Sequence, residues 1–260
     1  MNCPGRIPSP EALTAEADTG RTSEDMKEGR SEINPDTITD NDHFPHLEET
    51  LSVDRFGTYL AWAGDDRNRA VSLYTLNTTL SESLYTPLHI LEVALRNRIH
   101  QVMTQAAGDQ WYNLAEHQLN SYQADMLAEA EKGLLEKGKA VTPGAMVASL
   151  TFGFWIALLG KDYDPLWRST LHRIARDENG RSLRRKDFTR PLGQIRTLRN
   201  RVAHHEPIIY WNLPKHHAEI LKLVGWLSGP AADWCRVHDR FDAVYPANGI
   251  VLAPAADPDL

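Results

Sequence analysis

Apolar residues recur at helical spacing from about residue 52 to residue 244, and no stretch shows the period-two alternation of a half-buried strand. Phe56, Tyr59 and Leu60 share one face of a short helix that begins near Ser52 and ends at Gly64. Asp65 or Asp66 then caps a longer helix whose Ala70, Leu73, Tyr74, Asn77, Leu80 and Leu84 keep the spacing of one face. Thr86-Pro87 reads as a cap followed by proline at a first helical position, which predicts a separate helix to about Ala107, closed by Gly108. Its buried side is Leu88, Leu91, Leu95, Ile99 and Val102.

A polar helix is predicted from about Gln118 to Lys137, with few large apolar residues and partial exposure. The longest apolar stretch, Met146 to Leu159, predicts a core helix from about Gly144 to Leu159. It is shorter than the roughly 20 residues that a bilayer span needs, and Ser149 and Thr151 interrupt it. Residues 165–176 and 187–206 give two more helices across an Arg-rich connection, the second stopped by Pro207. Pro214 and Pro230 open two last helices. The first buries Ile220, Leu221, Val224 and Leu227, and the second buries Trp234, Val237 and Phe241. The expected fold class is therefore all-α.

Composition changes the picture at the two ends. Residues 1–48 carry no aromatic and four prolines before Phe44, and many carboxylates, too little apolar surface to offset ordering entropy, so a disordered acidic tail is expected there. Residues 49–245 form the helical domain, and a loose, proline-rich tail is expected over 246–260. Cys3 and Cys235 do not make a disulfide framework, and Met1 leads into polar sequence with no basic region before an apolar run. No secretory signal and no membrane contact are expected, and a reducing cytoplasm is the natural compartment.

The formal charge of −7 divides unevenly. Residues 1–50 hold twelve acidic and four basic side chains, which leaves the body nearly neutral. Within it, residues 161–201 hold twelve basic residues against five acidic ones. This surplus includes Arg184, Arg185, Lys186, Arg190, Arg196 and Arg201, a field that would gather RNA phosphates in a salt-dependent way; the bland alternative is a solvated surface.

The basic segment leads into Leu198-Arg199-Asn200-Arg201-Val202-Ala203-His204-His205-Glu206-Pro207. RNA cleaves itself when its 2′-hydroxyl loses a proton and attacks the adjacent phosphorus. A catalyst needs a base, an acid and a cation for the phosphorane charge, and this scheme requires no metal or other cofactor. Histidine suits the proton transfers because its ordinary pKa is about 6.5. Arginine grips two phosphate oxygens and stays charged, and asparagine orients either partner. On a helix, Leu192, Ile195, Leu198 and Val202 cluster on one side, while Asn200 and His204 lie a turn apart on nearly the opposite side. Arg199 falls nearer the apolar edge. The plain alternative is a helix C-terminus with a structural arginine.

A second stretch, Leu95-Arg96-Asn97-Arg98-Ile99-His100, echoes the first, so Arg96 and Asn97 are secondary candidates for the same groove; equally, Glu92 and Arg96 have the spacing of an intrahelical ion pair. His204-His205 and His216-His217 lack the companion ligands of a metal site, and none is expected. Phe152-Gly153-Phe154-Trp155 reads as core rather than as a base-stacking platform.

The R-N-x-x-x-H pattern with the following His-Glu-Pro resembles the R-x-x-x-x-H signature of the HEPN superfamily of RNases, in particular its Abi-like (abortive infection) branch. Phe56-Gly57-Thr58-Tyr59-Leu60, Leu80-Ser81-Glu82-Ser83-Leu84-Tyr85, Leu91-Glu92-Val93-Ala94-Leu95-Arg96-Asn97 and Leu150-Thr151-Phe152-Gly153-Phe154-Trp155 agree with that branch in the same order. The resemblance implies a HEPN-type helical bundle, usually a homodimer, in which the motifs of two protomers meet. It also implies metal-independent cutting of RNA that leaves a 2′,3′-cyclic phosphate, in defence against phage. Arg199, Asn200 and His204 take the motif positions, with His205 as an added neighbour. The superfamily also holds members that only bind RNA or a protein partner. A noncatalytic module is therefore the alternative expectation, and a third expectation is a regulator held by an antitoxin.

Overall fold

The computed structural model describes residues 47–113 and 119–253. The expected acidic tail, apart from its last two residues, lies outside them, as does the end of the expected C-terminal one. The fold is all-α: among the described residues there is no strand, only an isolated antiparallel bridge between Arg176 and Ser182. No helix among them is long and apolar enough to cross a membrane.

Helix α1 (Leu47–Leu51) precedes α2 (Val53–Ala63), which Ser52 caps and Gly64 closes in a left-handed conformation, φ 67°. Glu48, at the end of the expected tail, is bound to Arg67 at 2.9 Å. Helix α3 (Arg67–Ala107) is 41 residues long, about 60 Å at 1.5 Å per residue. It corrects the expectation of two helices meeting at Thr86-Pro87. Pro87 lies buried inside α3, where its ring forfeits one backbone hydrogen bond at a cost of about 3 kcal/mol. The helix continues because the stripes before and after the proline fall on one face. Leu80, Leu84, Leu91, Leu95 and Ile99 are all fully buried. Full burial of one such side chain contributes about 1.5–3 kcal/mol, so the packed stripe outweighs the local defect.

After a 3₁₀ turn at Trp111–Asn113 comes α4 (Ser121–Glu136), capped by Asn120 and burying only Gln123 and Leu134. The single core helix expected over 144–159 is two helices, α5 (Pro143–Ser149) and α6 (Phe152–Ala157). Leu150 is extended between them, and the Thr151 hydroxyl caps α6 by accepting the Phe154 N–H at 3.4 Å. A hydroxyl that offers the backbone this alternative partner breaks an otherwise continuous apolar run. Phe152, Phe154 and Trp155 are core. The expected helix over 165–176 shrinks to α7 (Asp164–Ser169) and a 3₁₀ turn, Leu171–Arg173.

Helix α8 (Arg185–Ala203) buries Phe188, Leu192, Ile195 and Leu198. It ends four residues before Pro207, so a cap rather than the proline stops it. Helix α9 (Leu213–Leu227) and α10 (Gly229–His238) each carry proline in the first turn, and α11 (Phe241–Val244) follows. Of the face expected for the last helix, only Phe241 is buried, and it belongs to α11 rather than α10. Ala232 and Cys235 point inward, while Trp234 is 49% and Val237 78% exposed. A Cβ placed on Gly225 would meet Ala232 at 3.9 Å, so α9 and α10 approach through small residues and the large ones are turned out.

Helix α3 packs against α2, α5, α6, α8, α9, α10 and α11. The segment expected to be loose after Tyr245 is tied down as far as residue 253: Ile250 and Leu252 pack on the core, and the Ala253 N–H donates to Trp62 O at 2.8 Å. The loop after α8 is fastened to α3 by one buried hydrogen bond, in which Asn77 Oδ1 accepts the Ile208 N–H at 2.7 Å. Asn77→Ala strands that amide, and its expected cost is about 1–3 kcal/mol, read from chemical denaturation. A loss under about 0.5 kcal/mol would show that the bond is dispensable.

Two histidines link the fold to pH. His100 Nδ1 accepts the Trp111 indole N–H at 3.1 Å, and burial lowers its pKa. Burial lowers that of His216 as well, against a weaker opposing pull from Glu219. In each case the unfolded chain binds the proton more readily. Their contribution is present above an ordinary histidine pKa of about 6.5 and is lost as pH falls through the depressed native values. Stability should therefore decline below about pH 6.5, and His100→Gln should flatten that decline in urea titrations run at several pH values. A slope identical to wild type would exclude His100 as a source.

Candidate functional site

The apolar side of α8 seats its 19 residues against the core, so every other feature of the motif follows from the angle around this helix. Arg199 comes one residue after the buried Leu198 and stays close to the interior. Its Nε and Nη2 donate to Glu92 Oε2 on α3 at 3.3 and 3.2 Å. Both side chains are partly exposed, which leaves the guanidinium reachable. Glu92 is the functional neighbour that the sequence reading assigned elsewhere, since its spacing to Arg96 suggested a pair within α3. The carboxylate instead crosses to α8, and Arg96 Nε is buried without a hydrogen-bond partner. The available signal was the place of Glu92 beside Leu91, at the edge of the stripe that meets another helix.

Asn200 is half-buried and lines a cavity of about 370 Å³ with Arg196, Arg201, Thr197 and Glu206. His204 is exposed at the C-cap, where its backbone N–H donates to Asn200 O at 2.9 Å. The helical angle predicted that outward position. His205 is also exposed but lines a different groove, with His238 and Arg240. Within one chain the structure thus sets Arg199 against α3, Asn200 in one cavity and His205 in another, with His204 at the surface between them. Asn97 is exposed on α3, and His100, its neighbour in the second stretch, is taken up by Trp111.

The backbone accounts for the split between the two histidines. His205 has φ 57°, its N–H donates to Val202 O at 3.2 Å, and the Glu206 N–H donates to Arg201 O at 2.8 Å. This pair of bonds is a Schellman ending, in which glycine usually takes the left-handed position because it has no Cβ. Histidine there bends the chain off the helix axis and sends consecutive imidazoles to different surfaces.

The basic segment also divides. Arg185 is only 14% exposed, bound to Asp164 Oδ1 at 3.0 Å and to Leu159 O at 3.0 Å. The Arg185 hydrogen bond, with a smaller pull from Arg168, lowers the Asp164 pKa. Arg201 reaches Glu206 at 3.2 Å and lies 5.5 Å from the Tyr210 ring and 5.8 Å from that of Trp211. Arg185 and Arg201, expected to meet RNA, are thus engaged in holding the fold. Arg184 is exposed and pairs with Asp187 at 2.6 Å, a hydrogen bond that raises its pKa and lowers that of Asp187. Lys186, Arg190 and Arg196 are exposed, so the accessible charge is smaller than the sequence count.

His217 is bonded to Asp239 and stacked on Phe241, and His216 lies against Trp211. Among the described residues no three His, Cys, Asp or Glu side chains converge as a metal site would need.

His205→Gly relieves a left-handed histidine and is expected to stabilise the protein by about 1 kcal/mol, read as a higher urea midpoint. An unchanged or lower midpoint would mean that the imidazole's own contacts outweigh the backbone strain. No protein-family model matches the chain, nor does any curated protein or solved structure.

Proposed function

We propose that this protein is a metal-independent endoribonuclease of the HEPN type that works as a homodimer in the cytoplasm. The observation that carries the reading is His204, solvent-facing at the end of α8, one turn beyond Asn200, on a helix whose Arg199 is held from behind by Glu92. In this scheme one imidazole takes the proton of a ribose 2′-hydroxyl. The 2′-oxygen bonds to phosphorus, and the bond from phosphorus to the 5′-oxygen breaks. A second, protonated imidazole donates to the departing 5′-oxygen, leaving a 2′,3′-cyclic phosphate and a 5′-hydroxyl. Arg199 neutralises the phosphorane oxygens, and Asn200 orients the base by a hydrogen bond. A twofold axis beside the outward His204 supplies both imidazoles from identical chains. The family resemblance supports a setting in abortive infection, with cutting of cellular or phage RNA and restraint by an antitoxin or other regulatory partner.

One observation favours a second reading, a noncatalytic RNA-binding or partner-binding module. Glu92 already occupies Arg199, and a carboxylate there competes with phosphate. Incubation with RNA in EDTA separates the two. Wild type should cut RNA and spare a strand with a 2′-deoxy nucleotide at the cut site. His204→Ala should lower the rate by about 10²–10⁴-fold with the helical signal intact. Binding without cutting under every condition tried would assign the noncatalytic reading.

A further inference from the structure

A groove of about 520 Å³ runs beside the end of α8, between the middle of α3 and the residues that follow α10. His205 enters it from one side; His238, the last residue of α10, and Arg240 enter it from the other. Arg240 meets Glu82 Oε1 at 3.4 Å, and both side chains are about 70% exposed. An ion pair so solvated contributes little, so an anion can displace the carboxylate.

The wall supplied by α3 has a defined polarity. The hydroxyls of Thr78, Thr79, Ser81 and Ser83 each donate their single proton to a backbone carbonyl of the same helix, at 3.1, 2.9, 2.7 and 2.8 Å. What they have left is acceptor capacity, which suits a ligand that brings O–H or N–H donors. Ribose carries such a donor at its 2′ position and deoxyribose does not. One exposed aromatic side chain lines the groove, and a second packs on a histidine that lines it. Tyr85, 65% exposed, lines the groove and stacks on His89 with ring centroids 5.9 Å apart; Trp234 packs on His238 at 4.4 Å. A cationic group beside an exposed aromatic ring is what single-stranded nucleic acid uses, phosphate on the cation and base on the ring.

We infer that this groove binds the single-stranded RNA adjoining the cut, with Arg240 and His238 on a phosphate, the α3 hydroxyls on ribose and Tyr85 beneath a base. The inference rests on the nuclease reading for the position of the cut, whereas the binding it describes does not depend on cleavage. Neither Arg240 nor His238 belongs to the R-x-x-x-x-H motif, and both come from the same chain as His205.

The full chain can be titrated with a short fluorescent single-stranded RNA made uncuttable by a 2′-deoxy nucleotide at the scissile position, with anisotropy as readout. The double variant Arg240→Gln/His238→Gln should weaken binding about tenfold or more and reduce the salt slope by about one phosphate contact. Tyr85→Ala should cost about fivefold to a hundredfold, the range for one base–aromatic stack. Glu82→Gln removes the competing carboxylate and should tighten binding, a sign that partial unfolding does not imitate. An all-DNA strand of the same sequence should bind more weakly than the RNA. Wild-type affinity in the double variant overturns the groove while leaving the nuclease reading intact if RNA is still cut. Binding that fails in the double variant, from a wild type that never cuts, overturns the nuclease reading and keeps the groove. Wild type that binds no RNA overturns both.

Discussion

Burial of one continuous apolar stripe on α3 is the constraint from which the rest of the structure follows. The stripe carries the helix straight through Pro87, and seven other helices take their positions from it. Because α3 is one body, Glu82 and Glu92 are ten residues apart on it, about 15 Å along the axis. Glu92 anchors Arg199, and Glu82 faces Arg240 across the neighbouring groove. The spacing between Arg199 and the Arg240 of the groove is therefore set by a rod that does not hinge at its proline. Two helices meeting at Thr86-Pro87 would have left that spacing free.

The second organising device is the end of α8. A left-handed histidine occupies a position that favours glycine, at a backbone cost of about 1–2 kcal/mol. In return the chain leaves the helix at an angle that parts His205, in the groove, from His204 on the surface. The following loop is then held from two directions, by Asn77 through the Ile208 amide and by Arg201 through Glu206 and the rings of Tyr210 and Trp211. Strain stored at a turn persists only where its surroundings over-determine it, and this turn is fastened on both sides.

Electrostatics here are more local than composition implies. The surplus over residues 161–201 reads as a single field, yet its arginines do different work. Arg185 and Arg201 hold carboxylates and carbonyls of their own chain, Arg199 is drawn to α3, and Lys186, Arg190 and Arg196 face water. Meanwhile the groove's charged group, Arg240, lies outside the basic segment altogether, as does His238. Net charge per segment counts groups without regard to their partners, and partnership decides which of them a phosphate can reach.

The sequence by itself determined the all-α class, the bounds of α2, the outer ends of α3 and most of the buried faces of α2, α3, α8 and α9. Periodicity, capping residues and glycine stops are local properties, and burial of a face needs only local spacing. The outward position of His204 belongs with these, since it follows from its angle to Leu198 on one helix. Only the tertiary structure decided that α3 crosses Pro87, that α10 turns Trp234 and Val237 outward, and that His205 parts from His204. It alone paired Glu92 with Arg199, 107 residues away, and brought Glu82, Tyr85, His205, His238 and Arg240 to one groove. The physical reason is the same in each case. A proline defect, an exposed tryptophan or an ion pair across helices is settled by which faces meet and how closely, and that competition among distant segments is not written at any one position of the chain.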